Sequence, residues 1–420
     1  MKTVSQGFRN KRKIVNDPVH GFITIPTDLL FDLIEHPWFQ RLRRIRQLGM
    51  TSYVYPGALH TRFHHALGAM HLMQEAIDTL RIKGFNITAE EAEATLAAIL
   101  LHDIGHGPYS HALEHSVVEG MRHEELSLLF MERLNREFGG KLQPAIEIFT
   151  NRYPKKFLHQ LVSSQLDMDR LDYLKRDSFY TGVSEGVINT ERIIKMLTVH
   201  NDQLMIEDKG IYSIEKFIVA RRLMYWQVYY HKTVVAAESM LINLLKRAKH
   251  LAGKNEELFA SPALRLFLHK PFGKEDFQEN DGLLEEFARL DDYDIFTGIK
   301  VWASHPDFLL SMISRAMVNR QLFRIELSDT PFPKEKTLNL GRAIRETWPG
   351  AGENATAYLL TSGVITNNAY IPEHDKIHLL YKEGKVSDIA ESSDQLNISV
   401  LTSAVSKHFI TYPKSIQKLQ

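Results

Sequence analysis

The sequence predicts a mainly α-helical protein with a short N-terminal β arm and a small α+β unit at its C-terminal end. Three observations predict this fold class. Helical apolar spacing dominates from residue 27 to about residue 250, β-branched pairs surround turn signals in residues 13–26, and strand-like runs replace the helical pattern after about residue 327. At ~150 residues per domain the length fits two or three domains. We predict a main unit at 1–325 and a C-terminal unit at 326–420.

The first predicted element is the arm. Asn16-Asp17-Pro18 and His20-Gly21 are turn signals between two β-branched runs, which is typical of a short hairpin or an extended arm.

The helical body follows the arm. Thr27-Asp28 can cap a helix whose apolar positions continue past Pro37 to Ile45. Further helices are predicted at 64–83, 89–104, 123–138, 157–176, 190–199, 214–230, 234–251 and 306–326, and strands at 357–365 and 376–381.

The composition excludes several kinds of protein. There is no cysteine, so disulfide scaffolds and thiolate sites are excluded and any metal must bind histidine and carboxylate. The 51 basic and 51 acidic side chains argue against a globally basic nucleic-acid binder, although a local patch stays open. The longest apolar run is Leu96–Leu101, against the ~20 residues that cross a bilayer. We expect a soluble, cytoplasmic protein without a membrane partner.

Histidine is unevenly distributed. Nine of the 20 histidines lie between residues 60 and 123, which predicts that this stretch uses imidazole chemically. They are His60, His64, His65, His71, His102, His106, His111, His115 and His123.

The first chemical segment is the histidine pair at the start of the helix predicted at 64–83. Helical spacing places His65 at the edge of the core beside Leu72, and His64 and His71 on the solvent side. A buried histidine bonded to a backbone carbonyl is the alternative interpretation of His65.

The second segment is His102-Asp103, at the end of a helix that is apolar nearly all round. An aspartate there faces the negative end of the helix dipole, and an unpaired buried carboxylate costs several kcal/mol. A bound cation removes both objections. A buried hydrogen-bonded pair and a plain helix-ending sequence are the alternatives.

Acid–base candidates follow this helix end. His111, Glu114, His123, Glu124 and Glu125 offer imidazoles and carboxylates suited to proton transfer near neutral pH, and not all of them can be catalytic. His115 is assigned to the surface.

The third segment is residues 162–177. Helical spacing puts Asp169 among apolar and aromatic neighbours with Arg170 beside it, so Asp169 is the natural fourth metal ligand. Asp167 and Asp172 can equally be solvated charges.

Together these segments resemble a known family. His65, His102-Asp103 and Asp169 reproduce the H…HD…D signature of the HD superfamily of metal-dependent phosphohydrolases. The surrounding strings resemble its deoxynucleoside-triphosphate triphosphohydrolase branch, which includes the mammalian SAM-and-HD-domain enzyme and bacterial relatives without the SAM domain. The matching strings are Asn16–Gly21, Phe39–Arg43, Arg46–Gly49, Tyr55–Ala58, Arg62–His65, His102–Pro108 and Tyr229–Lys232. The similarity runs from about residue 10 to 325 and implies an HD-domain helical bundle.

The resemblance also implies roles. His65, His102, Asp103 and Asp169 would hold a divalent transition metal such as iron, manganese or zinc, and Mg²⁺ can accompany the triphosphate. His111 would be the general acid for the leaving 5′ oxygen, with Glu114 and His123 as its supports and His106 near the scissile bond.

Substrate contacts are implied in the same way. Arg62, Arg170 and Arg221 would bind the triphosphate. Gln47 and Asp177 would read the sugar 3′-hydroxyl, while Leu48, Tyr173 and Tyr229 would line the sugar pocket. The implied reaction converts a deoxynucleoside triphosphate to a deoxynucleoside and inorganic triphosphate.

In relatives the arm and the following helix form a second nucleotide site between subunits. Lys13, Asn16, Gln40 and Arg43 match that site, which implies a homo-oligomer, dimer or tetramer, activated by a nucleotide.

Two alternatives stay open. One is an HD phosphohydrolase for another nucleotide or nucleic-acid phosphoester, against which Gln47, Leu48, Asp177 and Tyr229 argue. The other is a nucleotide-responsive or nucleic-acid-binding regulator with an idle site, which a lost metal ligand would indicate; none of the four is missing.

Overall fold

The computed structural model describes residues 13–371, 376–393 and 403–419, apart from the side chains at positions 111, 115, 353 and 417–419. It is mainly α-helical with short strand units, which confirms the predicted fold class. The helices are α1 (Asp28–Glu35), α2 (Pro37–Gln40), α3 (Arg62–Ile82), α4 (Ala89–Leu101), α5 (Glu114–Val117), α6 (His123–Glu137), α7 (Gln143–Phe149), α8 (Lys156–Val162), α9 (Met168–Thr181), α10 (Thr190–Met196), α11 (Ile211–Met224), α12 (Lys232–Gly253), α13 (Pro262–His269), α14 (Lys274–Glu279), α15 (Asp281–Phe287), α16 (Asp292–Trp302), α17 (Phe308–Val318), α18 (Lys334–Thr347), α19 (Thr356–Leu359) and α20 (Ile389–Ser392).

The strands form three small sheets. They are β1 (Ile14–Asp17), β2 (Gly21–Thr24), β3 (Leu197–His200), β4 (Gln203–Glu207), β5 (Arg324–Ser328), β6 (Thr361–Asn367), β7 (His378–Leu380), β8 (Val386–Asp388) and β9 (Val405–Tyr412). Strands β1 and β2 form the predicted N-terminal hairpin, with Asp17 opposite Gly21. The other sheets have the orders β3-β4-β7-β8 and β5-β9-β6. Because β4 pairs in parallel with β7, one sheet includes strands from both predicted units. The boundary at residue 325 stays a prediction.

Helix α3 is central because it packs against both α4 and α9. Its residues Ala69, Met73 and Ala76 are fully buried, and so is the end of α4 from Ala97 to Leu101. These apolar faces bring the beginning of α3, the end of α4 and the first turns of α9 to one place. The three predicted chemical segments therefore meet there.

Two long helices predicted from periodicity are broken in the structure. The helix expected to run past Pro37 ends at Glu35, because His36 is extended and caps the separate helix α2. The helix predicted at 157–176 is α8 and α9, because the Asp167 side chain accepts a hydrogen bond from the Arg170 amide and starts a new helix there.

Other boundaries shifted at sites where strand pairing replaces a helix. The helices predicted at 190–199 and 306–326 end at Met196 and Val318. The last residues of the two predicted ranges lie instead in strands β3 and β5. Residues 357–365 begin in α19 and become strand β6 only at Thr361. The helix predicted at 214–230 continues from α11 into a π-helical turn at Tyr225–Tyr229. Within the described ranges, no helix is both long and apolar enough to span a membrane.

Gly68 lets α3 approach α9 closely. A Cβ added at Gly68 would lie 2.0 Å from Asp172 Oδ1 and 2.1 Å from Arg176 Nη2. Both side chains are fully buried, so neither can move aside into solvent. A side chain at position 68 therefore pushes α3 away from α9.

We expect Gly68→Ala to lower the free energy of unfolding by about 1–3 kcal/mol, because the added methyl group overpacks a buried ion pair. Chemical denaturation measures the loss. Gly253→Ala is the matched control, because Gly253 is also helical and has no atom within 4 Å of an added Cβ. Equal stabilities of the Gly68→Ala variant and the wild type would contradict the close approach.

Candidate active site

The predicted metal ligands meet at the junction of α3, α4 and α9. His65 Nε2 lies 3.1 Å from Asp169 Oδ1 and 3.4 Å from His102 Nε2, and His102 Nε2 lies 3.6 Å from Asp169 Oδ1. These three side chains come from three different helices or helix ends. They form one of the groups of histidine and carboxylate in the described residues that could hold a metal ion.

Asp103 lies beside this group. Its Oδ1 is 3.3 Å from His102 Nε2 and its Oδ2 is 3.7 Å from His65 Nε2. The carboxylate also accepts a hydrogen bond from Arg62 and lies 3.4 Å from His106 Nε2. Asp103 is therefore shared between the three-residue group and a second group of Asp103, His106 and His123.

The donor set fits a divalent transition metal. Ligand atoms about 2.1 Å from one ion lie about 3.0–3.4 Å apart in octahedral or tetrahedral geometry, close to the distances among His65, His102 and Asp169. Hydrogen bonds hold the Nδ1 atoms of His65, on Asp172 at 2.8 Å, and His102, on the Ile99 carbonyl at 2.6 Å. Each histidine therefore presents the lone pair of Nε2 to the group, as metal-binding histidines do.

The electrostatics favour positive charge between the ligands. Burial lowers the pKa of His65, but hydrogen bonds with Asp169 and Asp172 outweigh it and raise the pKa to about 10. The pKa of His102 is likewise raised, since Asp103 and Asp169 outweigh burial, and the two imidazoles lower the pKa of Asp169 despite its burial. A bound cation satisfies the same preference.

Imidazoles suited to proton handling lie next to the metal candidates. The rings of His106 and His123 stack at 3.8 Å. Burial, Arg62 and His123 hold the pKa of His106 well below its usual value, so its ring is neutral near pH 7. Glu114 Oε1 accepts from the backbone amide of His123 at 2.8 Å and lies 2.5 Å from its Nδ1. The side chain of His111, the predicted general acid, lies outside the described residues.

A cavity of about 460 Å³ opens beside these groups, within the size range of ligand sites. Its walls include candidate metal ligands and imidazoles, together with residues predicted to contact the sugar and the phosphates. Predicted residues that line it are Gln47, Leu48, Arg62, Asp103, His106, His123, Asp169, Arg170, Tyr173, Asp177 and Tyr229. His65, His102, Glu114 and Arg221 are not lining residues. Gln47 Oε1 is buried and has no hydrogen-bond partner among the described residues.

The predicted sugar contact Asp177 is held from two sides. His60 Nε2 lies 2.7 Å from Asp177 Oδ1, and the Tyr229 hydroxyl donates to Asp177 Oδ2 at 2.8 Å. The His60 ring also stacks on Tyr180 at 4.4 Å. The sequence left His60 without a role. Only the fold, which brings residue 60 to the end of α9, reveals its contact with Asp177.

The three predicted phosphate-binding arginines differ in position. Arg62 lines the cavity, and its Nε donates to Ser110 at 2.8 Å. Arg170 lines the cavity and pairs with Asp167. Arg221 does not line the cavity, but its guanidinium lies 5.9 Å from the ring of Tyr225, which does. The Nε atoms of Arg170 and Arg221 are buried without a partner in the described part of the chain.

Asp292, which the sequence did not indicate, joins two segments of the cavity wall. Its Oδ1 accepts from the Tyr109 amide at 2.7 Å, and its Oδ2 accepts from the Arg46 amide at 3.0 Å. Tyr109 and Ser110 have φ of 53° and 50°, which is strained for side chains other than glycine. These bonds hold the strained loop beside Gln47. Burial raises the pKa of Asp292 to about 6.

Two aspartates interpreted as possible solvated charges are fully buried instead. Asp167 caps α9 and pairs with Arg170, and Asp172 bonds to His65. Both find partners that lower the cost of burying a carboxylate. Arg176, His65 and His20 outweigh burial and hold the pKa of Asp172 well below its usual value. Charge runs on helices are usually solvated, so the sequence carried no signal for this burial.

Glu238 is a further lining residue that the sequence did not indicate. It lies on α12 and shares the cavity wall with Tyr225 and Tyr230. Burial raises its pKa to about 7.

The residues predicted for a second nucleotide site are Lys13 and Asn16 on the arm, Gln40 at the end of α2 and Arg43 just after α2. Lys13 and Asn16 are exposed on the arm, and Lys13 Nζ lies 4.4 Å from the centre of the Phe31 ring. Arg43 donates to Gln40 at 2.7 Å, and its guanidinium lies 3.6 Å from the Phe63 ring.

Comparisons with known proteins agree with this geometry. Residues 62–177 match the HD domain family, and residues 188–260 match the HD associated region. The uncharacterized protein YwfO of Bacillus subtilis is 32% identical over 423 residues, which cover 98% of this chain and 94% of YwfO. A crystal structure of a phosphohydrolase from Bacteroides thetaiotaomicron has 56% sequence identity and a TM-score of 0.92, and the match covers 96% of this chain and 99% of that one.

Relatives with a stated reaction match a smaller part. The human deoxynucleoside triphosphate triphosphohydrolase SAMHD1 is 29% identical over 280 residues, which cover 56% of this chain and 44% of that protein. The SAMHD1 homolog of Dictyostelium discoideum is 31% identical, and 52% of its length is covered. The chain thus spans about half the length of the SAMHD1 relatives it matches. From the HD family match, the B. subtilis and B. thetaiotaomicron relatives and the homology to SAMHD1, we conclude that the chain belongs to the HD superfamily of phosphohydrolases.

Proposed function

We propose that the protein hydrolyses deoxynucleoside triphosphates to a deoxynucleoside and inorganic triphosphate. The observation that carries this proposal is the cavity itself, which is lined both by the candidate metal ligands Asp103 and Asp169 and by Gln47, Asp177 and Tyr229. The buried Gln47 Oε1 has no partner in the described residues, and a sugar hydroxyl can donate to it. The homology to SAMHD1 supports the same substrate class.

His65, His102, Asp103 and Asp169 would hold the divalent metal, and Mg²⁺ can accompany the triphosphate. When bound, the metal lowers the pKa of a water molecule and polarises a phosphoryl oxygen. Arg62 and Arg170 bind the phosphates from the cavity wall, and Arg221, beside the lining residue Tyr225, adds a third positive charge.

In the proposed reaction, the water oxygen bonds to the α-phosphorus and the bond from phosphorus to the 5′ oxygen breaks. His111 gives that oxygen its proton, and the hydrogen-bonded Glu114 and His123 support it. Of the two water protons, one stays on the released triphosphate and the other restores the proton of His111. The neutral ring of His106 is available to orient the water or the α-phosphate. Leu48 and Tyr229 pack on the sugar where a 2′-hydroxyl would clash, and Tyr173 lines the same pocket.

The proposal includes a homo-oligomer that a nucleotide activates at Lys13, Asn16, Gln40 and Arg43. The exposure of Lys13 and Asn16 supports this part of the proposal, as does the contact of Lys13 with Phe31 of α1.

Product analysis tests the proposed reaction. The Mn²⁺-loaded protein is incubated with each deoxynucleoside triphosphate and each matching ribonucleotide in ¹⁸O-labelled water, and the phosphate products are separated by ion chromatography. We expect inorganic triphosphate that carries ¹⁸O, from deoxynucleotides in preference to ribonucleotides. Pyrophosphate or single phosphate as the product would contradict the proposal and favour an HD phosphohydrolase of another specificity.

Loss of a metal ligand tests the metal site. We expect Asp169→Ala to weaken Mn²⁺ binding at least tenfold and to abolish turnover, because an oxygen 3.1 Å from His65 Nε2 is removed. Titration calorimetry and plasma mass spectrometry measure the affinity and the metal content. Asp78→Ala, an exposed position on α3, is the control. Unchanged metal affinity in Asp169→Ala would show that the fourth ligand is misassigned.

Removal of the Tyr229 hydroxyl tests the proposed contact of Asp177 with the sugar. We expect Tyr229→Phe to raise KM for deoxynucleotides roughly fivefold, or about 1 kcal/mol, because Asp177 loses one of its two donors. Steady-state kinetics measure the change. Tyr293→Phe, at a position that is 64% exposed on α16, serves as the control. An unchanged KM would mean that Asp177 does not need Tyr229 to bind substrate.

A further inference from the structure

Asp172 is the shared hydrogen-bond acceptor on the Nδ1 side of His65. Its Oδ2 accepts from His65 Nδ1 at 2.8 Å and from Arg176 Nε at 2.8 Å. Its Oδ1 accepts from Arg176 Nη2 at 2.9 Å and from His20 Nε2 at 2.7 Å. Asp172, Arg176 and His65 are fully buried, and the His20 side chain is 2% exposed. We call Asp17, His20, Asp172 and Arg176 the support network of His65.

Two of these four residues belong to the N-terminal hairpin. His20 reaches Asp172 directly, and Asp17 Oδ2 accepts from Arg176 Nη1 at 2.7 Å. Asp17 Oδ1 also accepts from the backbone amides of Val19 and His20, both at 2.9 Å. The turn between β1 and β2 thus fixes both side chains relative to each other. The hairpin therefore places a carboxylate and an imidazole into the network as one rigid unit.

The charges explain why the hairpin matters to the metal. Arg176 is paired with two carboxylates, one from α9 and one from the hairpin. If the hairpin moves away, Arg176 loses its ion pair with Asp17, and Asp172 loses its hydrogen bond with His20. Water then reaches these otherwise buried groups. Asp172 then has fewer fixed donors to hold the orientation in which it accepts from His65 Nδ1. Partners one step behind a metal ligand set its orientation and basicity in this way.

We propose that Asp17 and His20 of the hairpin are positioning residues for metal binding: they hold Asp172, and Asp172 presents His65 Nε2 to the metal. The hairpin position and the metal affinity are then linked, so each stabilises the other. Any contact that holds the hairpin in place raises the affinity of the site for its metal. This inference rests on the metal site of the proposed function and on no choice of substrate.

Variants at His20 test the proposal. Metal-free protein is titrated with Mn²⁺ by calorimetry, and its unfolding temperature is measured without metal. We expect His20→Ala to weaken Mn²⁺ binding by roughly tenfold or more, because Asp172 loses a donor. His20→Gln keeps an N–H at a similar distance along the side chain, and we expect it to recover most of the affinity.

The control lies on the same hairpin. Phe22 is 72% exposed, so Phe22→Ala should leave the Mn²⁺ affinity unchanged. A residue with only a structural role would lower the unfolding temperature of the metal-free protein while the dissociation constant stayed the same. An unchanged dissociation constant in folded His20→Ala would therefore overturn the proposal.

A measurement on the unaltered protein covers the case in which His20→Ala does not fold. Hydrogen–deuterium exchange is followed with and without Mn²⁺. We expect Mn²⁺ to slow exchange of the Val19 and His20 amides, which donate to Asp17. Slower exchange in α3, α4 and α9 with no change in the hairpin would overturn the linkage. Neither measurement uses a nucleotide, so its result is independent of whether the protein releases inorganic triphosphate.

Discussion

The hydrogen bond between His65 and Asp172 is the interaction on which the rest of the site depends. It joins α3 to α9 at 2.8 Å in a fully buried position, and it sets which imidazole nitrogen faces the metal ligands. A buried carboxylate at that point needs compensating partners, and Arg176 supplies them. Space for the pair exists only because position 68 carries no side chain. The same few atoms therefore determine both the packing of α3 against α9 and the orientation of His65.

The fold class and the grouping of the candidate metal ligands could be predicted because their signals are local. An apolar helix that ends in His102-Asp103 indicates a buried polar end, and helical spacing alone placed His65 inward and Asp169 among apolar neighbours. The structure brings these residues together. The N-terminal hairpin was predictable for the same reason, since its turn residues lie within the segment itself.

The supporting residues could not be predicted because their partners are distant in the sequence. His20 lies 152 residues before Asp172, and Asp292 reaches back to Arg46 and Tyr109. A charged residue in a helical run is usually solvated. The sequence around Asp172 therefore did not indicate that α3 and the hairpin bury it. The break between α8 and α9 was missed because the apolar periodicity continues across residues 163–167 while Asp167 caps the second helix.

In the proposed metal site, Asp172 presents His65 to a metal shared with His102, Asp103 and Asp169. Anomalous diffraction from crystals of the Mn²⁺-loaded protein locates that metal. We expect an anomalous peak within about 2.5 Å of His65 Nε2 and His102 Nε2, with the His65 Nδ1–Asp172 hydrogen bond retained. The described residues also offer Asp103, His106 and His123 as a second group. An anomalous peak within bonding distance of that second group, and not of His65, would show that Asp172 does not present His65 to the metal.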